Sequence, residues 1–244
     1  MEKRSSTKNE FLFSKKRFQL SLKSLKKKNP HLYLYLLTKP YSLPTYKDNN
    51  LYRLVGKTPF LFHNPDITSD DWFSQLELFQ REGLVLYGIG LGTNYLAAKE
   101  WLHKYRKRHL IILEDDLGAL AYLLGTPVGT EILNDSQVYL FYLDDIPSIE
   151  RTVETIKALF TSLPLQFSAL ESYHSFKKPL HDWLLERVIY SSIARTTRIK
   201  EYCSVSPLVL RNMITNLETL SNSLPITALK GSFSGVPGII CGAG

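Results

Sequence analysis

Cysteine is scarce in this chain, and long apolar runs are missing. The two cysteines, Cys203 and Cys241, fit neither a zinc-ligand spacing nor a disulfide framework, so we expect free thiols and a cytoplasmic location. No apolar segment approaches the roughly 20 residues that cross a bilayer. No apolar stretch of about 7–15 residues follows the basic N-terminus, as a secretory signal would require. The composition therefore predicts a cytoplasmic protein without a membrane span.

Several well-known catalytic signatures are also missing. The sequence contains no G-x-S-x-G nucleophile turn, no H-E-x-x-H zinc motif and no P-loop. The six histidines occur at no metal-ligand spacing. His174 and His181 lie on either side of Pro179, so we do not expect them to share a helical face. The sequence thus gives no indication of a serine hydrolase, a zinc protease or a P-loop NTPase.

Positive charge is concentrated at the N-terminus. Residues 1–30 carry ten Lys or Arg and only two acids, a net charge of +8 in a chain whose total is +7, so the remaining residues sum to −1. This pattern predicts a basic flexible arm, part of which forms a short helix ending before Asn29. Two interpretations stay open, a solvated arm or an anchor for anionic lipid, nucleic acid or an acidic partner. Without the aromatic and glycine pattern of an RNA-binding sheet, nucleic acid is disfavoured.

The most informative stretch runs from Leu84 to Asp116. An apolar run enters a turn with Gly88, Gly90 and Gly92, Thr93 opens an amphipathic segment, and a second apolar run ends at Glu114. This order predicts a β-α-β unit. Glycines let the backbone approach a phosphate at a helix N-terminus, and an acid at the end of the second strand can accept hydrogen bonds from ribose hydroxyls.

Each of these features also has a structural interpretation. The glycine turn is either a ligand site or a tight turn that binds nothing. The acid pairs Asp115-Asp116 and Asp144-Asp145 follow strands, where they suit a metal or a hydroxyl, but they are also good helix N-caps, and we favour the caps.

The GxGxG spacing is closer to that of S-adenosylmethionine-dependent methyltransferases than to that of dinucleotide-binding enzymes. A methyltransferase is therefore the alternative function, although Tyr87 stands where an acid would be expected.

Strand and helix patterns alternate over the rest of the chain, which predicts an α/β fold. We expect a Rossmann-like parallel sheet, a small β-rich N-terminal subdomain and a helical C-terminal segment. Residues 31–37 fit an edge strand or a short helix. The other predicted elements are strands near 51–55, 58–63, 136–143 and 165–170, and helices at 65–82 (N-cap Ser69), 148–162, 179–203 and 207–220. The predicted domains are the arm at 1–30, the Rossmann-like domain at 31–172, a helical linker at 173–234 and the start of another domain at 235–244.

Several segments resemble one protein family in their order and separation. GLVLYGIGLGTNYL, followed by HLIILEDDLGAL, resembles the N-terminal domain of the Maf (motility accessory factor) flagellin glycosyltransferases, and FHNPDITSDDW precedes it as in that family. NMITNLETL and GVPGIICGAG resemble the approach to an MptE-like domain. The resemblance covers roughly residues 50–244. It implies a bacterial cytoplasmic protein related to 6-hydroxymethylpterin diphosphokinase MptE-like proteins and Maf transferases.

The resemblance also implies what the protein acts on. Its relatives transfer diphosphate from ATP to a pterin, or a nonulosonic acid sugar from a nucleotide-activated donor to flagellin, so a nucleotide or nucleotide-sugar and a protein substrate are the implied partners. The nucleotide, with Mg²⁺, is expected in the MptE-like domain, of which Gly242 and Gly244 would form half a site. Because the matching segment stops there, we expect the chain to be truncated before its catalytic domain. The part present is then a non-catalytic domain whose ligand contacts are Gly88, Gly90, Gly92, Thr93 and Glu114.

Overall fold

The computed structural model describes residues 11–63, 68–79, 81–159, 165–220, 222–223, 226–232 and 234–237. The chain divides into two units, residues 1–196 and residues 197–244. The first unit contains both sheets.

The strands are β1 (Thr45–Lys47), β2 (Asn50–Val55), β3 (Thr58–His63), β4 (Gly83–Tyr87), β5 (His109–Glu114), β6 (Val138–Tyr142) and β7 (Leu165–Ala169). The helices are α1 (Lys15–Lys28), α2 (Pro30–Thr38), α3 (Ser69–Ser74), α4 (Thr93–Lys104), α5 (Leu117–Leu124), α6 (Pro127–Asn134), α7 (Ile146–Leu159), α8 (Glu171–Phe176), α9 (Lys178–Leu185) and α10 (Ser191–Leu220).

A four-stranded parallel sheet forms the centre of the first unit. Its order is β6-β5-β4-β7, so the first of these strands along the chain, β4, lies between the second and the fourth. Every residue of β4 is buried, which is typical of a parallel sheet covered on both faces. Val85 pairs with Ile111 on one side and with Phe167 on the other. The predicted α/β fold with a Rossmann-like sheet is confirmed.

The small β-rich subdomain is a three-stranded antiparallel sheet of order β1-β2-β3. Its β2–β3 hairpin turns at Gly56, whose φ of 64° lies in the left-handed region that glycine adopts without strain. Arg53 of β2 reaches across to Asp116 at the start of α5, where its Nη2 lies 3.1 Å from Oδ1, and it also bonds the Ser42 carbonyl. This ion pair connects the small sheet to the Rossmann-like layer.

Residues 11–30, the described part of the predicted arm, include a helix that packs on the domain. The predicted short helix is present as α1, which contacts α5 and α6 and buries Leu25. Residues 31–37 belong to helix α2 rather than to an edge strand. Asn29 joins the two helices, because its Oδ1 accepts the Leu32 N–H at 3.1 Å and its Nδ2 donates to the Leu140 carbonyl at 3.1 Å. Pro30 follows at the first helical position, where a missing N–H costs nothing.

Two helix predictions differ from the structure. The helix expected over 65–82 is the short α3, whose N-cap is Thr68 and not Ser69, since the Thr68 hydroxyl accepts the Asp71 N–H at 3.1 Å. The two helices expected at 179–203 and 207–220 are instead α9, a π-helical turn and a continuous α10 that contains Pro207. Inside a helix a proline lacks the N–H of one backbone hydrogen bond and crowds the carbonyl four residues earlier, yet the residues on both sides of Pro207 are helical.

Asp116 should be worth more to stability than an ordinary surface acid. Besides the Arg53 pair, its Oδ1 accepts the Ala119 N–H at 2.8 Å and caps α5. We expect Asp116→Ala to lower the free energy of unfolding by about 2 kcal/mol, and Asp116→Asn, which keeps a cap acceptor, by about half of that. Urea denaturation measures both. Glu150→Ala, at an exposed position of α7, is the matched control and should stay within about 0.5 kcal/mol of wild type. Equal effects for all three variants would contradict a special role for Asp116.

Candidate functional site

The glycine turn between β4 and α4 is filled by the protein itself. Gly88, Gly90 and Gly92 have φ values of 94°, 52° and 77°, and all three are buried. A methyl group on Gly88 would lie 2.7 Å from the Tyr173 ring of α8, and one on Gly90 would strike the carbonyl oxygen of Phe62 in β3. Gly92 is the N-cap of α4, and a methyl group there would lie 2.7 Å from a Val128 methyl of α6. The space that glycine opens in this turn is therefore occupied by other parts of the chain.

Glu114 lies at the end of β5, as predicted, but it does not face a ligand. Its side chain is completely buried. Its Oε2 accepts the Ile89 N–H of the glycine turn at 3.0 Å, and its Oε1 accepts the N–H groups of Asp115 and Asp116 at 3.0 and 2.8 Å. The Tyr173 hydroxyl donates to both oxygens, at 2.7 and 2.9 Å. The acceptor predicted for a ribose hydroxyl is thus committed to the protein's own backbone and to one tyrosine.

Burial dominates the electrostatics of this group. The pKa of Glu114 is raised to about 8, chiefly by desolvation and also by the neighbouring Asp115, while Lys177, the Tyr173 hydroxyl and the Asp116 N–H oppose the shift. Desolvation and the adjacent acids also raise the pKa of Tyr173 well above its ordinary value. Asp115 is paired with Lys177 at 2.5 Å and accepts the Tyr87 hydroxyl at 3.0 Å. Glu114 is therefore surrounded by a closed polar network rather than by an open crevice.

The acid pairs behave largely as helix caps and ion-pair partners. Asp116 caps α5, as the sequence predicts, and Asp145 accepts the Ser148 N–H of α7 at 2.8 Å. Asp144 pairs with Lys39 at the end of α2. No group of three or more His, Cys, Asp or Glu side chains in the described part of the chain is arranged to hold a metal ion. Gly242 and Gly244, the predicted half-site for a nucleotide, lie outside the described residues.

A cavity of about 280 Å³ opens beside the glycine turn. The start of α4, the end of β7 with Leu170, and helix α8 line it, together with β3 and α3. The chain order of the parallel strands reverses between β4 and β7, so this is the topological switch point of the sheet. In open α/β sheets, ligands bind outside the carboxyl ends of the strands at such a point. Thr93, one of the predicted contact residues, and its neighbour Asn94 line the cavity.

The cavity wall combines hydroxyl groups, acids and aromatic rings. Thr93, Ser172 and Ser175 supply hydroxyls, and Asp71 and Glu171 supply carboxylates. The aromatic lining residues are Phe62, Trp72 and Phe176. Among the described residues that line it, none is Lys or Arg.

Part of this wall is held in place by the core. The Trp72 indole donates to the Ser168 hydroxyl at 2.9 Å, and the Ser172 hydroxyl donates to the Leu61 carbonyl. Burial lowers the pKa of His63, so its imidazole is neutral at neutral pH. The wall therefore suits an uncharged ligand with hydroxyl groups better than a phosphate.

Some of the functional geometry lies beyond the reach of sequence patterns. Tyr173, which closes the glycine turn, falls in a segment without a clear motif. His174 and His181, which were not expected to share a helical face, lie on the separate helices α8 and α9, and their ring centroids are 4.6 Å apart in an edge-on arrangement. His181 is also hydrogen-bonded to Asp182 at 2.8 Å. Only the proximity of these helices, which no spacing rule predicts, brings the two rings together.

Comparison with known proteins gives no match: no family model, no curated protein and no solved structure is similar to this chain. None of the helices in the described part of the chain is long and apolar enough to cross a membrane.

The titration of Glu114 should appear in the pH dependence of stability. Its ordinary pKa is about 4.3, and burial raises the pKa of the folded state to about 8. Between these values the native state keeps a proton that the unfolded state has lost, so the free energy of unfolding falls as pH rises, by up to about 1.4 kcal/mol per pH unit. We expect wild type to lose more stability from pH 5 to pH 8 than Glu114→Gln does, as measured by urea denaturation.

The control for this prediction is Glu171→Gln, at an exposed acid of α8, which should keep the wild-type slope. Parallel slopes for wild type and Glu114→Gln would show that Glu114 does not titrate with a raised pKa.

Proposed function

We propose that this chain is the N-terminal, non-catalytic, Rossmann-like domain of an MptE-like/Maf-like transferase, and that its switch-point cavity receives a small, uncharged, hydroxyl-bearing ligand. The observation that carries the proposal is the closed glycine turn beside an open cavity. The Glu114 carboxyl group accepts the Ile89 N–H, so this backbone donor of the glycine turn is already used by the protein itself. The remaining space lies next to it, under β3 and α3.

The charge of the cavity supports the ligand class. Phosphate sites in proteins usually rely on Arg, Lys or several free backbone N–H groups. Here the described lining offers two carboxylates and a neutral imidazole, with hydroxyl and amide groups between aromatic rings. Hydroxyl-bearing ligands pair well with carboxylates, which accept their hydrogen bonds. A nucleotide belongs, on this proposal, to the MptE-like domain and not to the Rossmann-like one.

The methyltransferase alternative needs two features that the chain uses otherwise. A cofactor at the glycine turn would have to displace Tyr173 and the Phe62 backbone. Glu114, the acid that would accept hydrogen bonds from the ribose of the cofactor, is completely buried. These contacts count against S-adenosylmethionine as a ligand of this turn.

The proposal predicts which ligands stabilise the purified chain. We expect myo-inositol or glucose, at about ten times its dissociation constant, to raise the free energy of unfolding by about 1.4 kcal/mol, which is a shift of roughly 3–6 °C in melting temperature. S-adenosylmethionine, ATP and CMP, each with and without Mg²⁺, should give no shift. Thermal-shift measurements over a concentration series check both expectations.

Two tryptophan variants locate the binding site. Ser175→Trp puts an indole at the wall of the cavity and should remove the shift, whereas Ser232→Trp, at an exposed serine outside the lining, should keep it. A shift with S-adenosylmethionine that persists in Ser175→Trp would place the cofactor elsewhere and overturn the proposal in favour of the methyltransferase. A flat response to all the neutral ligands would contradict the proposed ligand class.

A further inference from the structure

Helix α1 is rich in cations, and three of them form an outer face that takes no part in the cavity. Its 14 residues include seven Lys or Arg and no acid. Ser21 and Leu25 are buried against the domain, so the packed side of the helix is fixed. At 3.6 residues per turn, Lys16, Lys23 and Lys27 project from the opposite side. All three are exposed, and no acid of the helix offsets their charge.

An exposed leucine lies in the middle of this face. Leu20 is four residues after Lys16 and three before Lys23, and it is 56% exposed to solvent. Leu12, just before the helix, is 46% exposed. A lysine-rich face that only contacts water needs no exposed leucine. A helix that lies on a lipid surface combines cations with exposed apolar side chains.

We propose that the outer face of α1 docks this protein on the surface of a membrane rich in anionic phospholipid. The cations would lie at the headgroups, attracted by their negative surface potential, and Leu20 would enter the acyl boundary. The contact is peripheral, because no described helix is able to span a bilayer. Upstream of the helix, the sequence adds Lys3, Arg4 and Lys8 to the same basic region.

The composition of the face favours lipid over nucleic acid. Six of the seven cations of α1 are lysines, which act as point charges, whereas arginine is preferred for bidentate phosphate and base contacts. The one aromatic residue of the helix, Phe18, is turned toward the core, so no ring on the outer face is available to stack on a base. An acidic protein partner would not require the exposed leucine.

Cosedimentation with vesicles tests this inference on the full chain. The probes are phosphatidylcholine vesicles and vesicles with about 30% phosphatidylserine, at 50, 150 and 500 mM NaCl. We expect at least about tenfold tighter binding to the anionic vesicles at low salt, and loss of binding at high salt because the charges are screened.

Two variants with the same change in charge identify the surface. Lys16→Glu/Lys23→Glu/Lys27→Glu should weaken vesicle binding at least about tenfold. Lys104→Glu/Arg106→Glu/Lys107→Glu reverses three exposed cations at the end of α4 and should bind like wild type. All six side chains are exposed, so we expect both variants to fold. Their melting temperatures check this. Leu20→Ser should weaken binding several-fold without lowering the melting temperature.

Other outcomes would overturn the inference. These are equal binding to both kinds of vesicle, equal losses in the two triple variants, or tighter binding to a duplex RNA than to anionic vesicles under the same salt. None of them bears on the cavity, whose ligand is tested separately by the tryptophan variants.

Discussion

The structure depends on the buried carboxyl group of Glu114 and on the donors that surround it. Taking an acid fully out of water is costly unless hydrogen bonds replace the lost hydration. Here the glycine turn, the backbone after β5 and the hydroxyl of Tyr173 all donate to one side chain. The requirement that this group be satisfied fixes the end of β4 against the end of β5. It also holds α8 over the turn, because the buried Tyr173 hydroxyl donates to both Glu114 oxygens.

This constraint decides where a ligand can bind. In a Rossmann-like sheet the first glycine turn and the acid after the second strand usually face the same crevice. In this chain they face each other, and the hairpin strand β3 and helix α8 cover them. The open volume lies toward β7, and the start of α4 and helix α8 line it together with β3 and α3. The topology of a nucleotide-binding sheet is thus retained, while the contact surface has a different chemistry.

The sequence predicts the local parts of this arrangement well. The runs that become β4 and β5 are buried on both faces, and such strands are recognisable as continuous apolar segments. Asp116 was predictable as an N-cap because capping needs only a short polar side chain before a helical pattern. Residues 65–82 show the limit, since their helical periodicity continues past Ser74 although the chain leaves the helix there. Periodicity reports which side chains are buried, and a short helix followed by an irregular segment can bury the same ones.

The candidate site was less predictable, because its parts come from distant segments. Phe62 and Tyr173 are separated by more than a hundred residues, yet both close the same glycine turn. A glycine pattern records that the backbone is approached closely, but not whether the approaching group is a ligand or another part of the protein. The same ambiguity applies to Glu114, since an acid at a strand end can bond a ribose or its own backbone. Only the tertiary contacts distinguish these cases.

Charge distinguishes the cavity from the surface of α1. The lining of the cavity is acidic and neutral in its described part, whereas the cations of the N-terminal region lie on α1. Helix α1 packs on α5 and α6, and neither of these helices contributes to the cavity wall. Surface charges separated by more than about 10 Å are largely screened at physiological ionic strength. Because Lys16, Lys23 and Lys27 do not line the cavity, charge reversals on α1 leave the residues of the cavity wall unchanged.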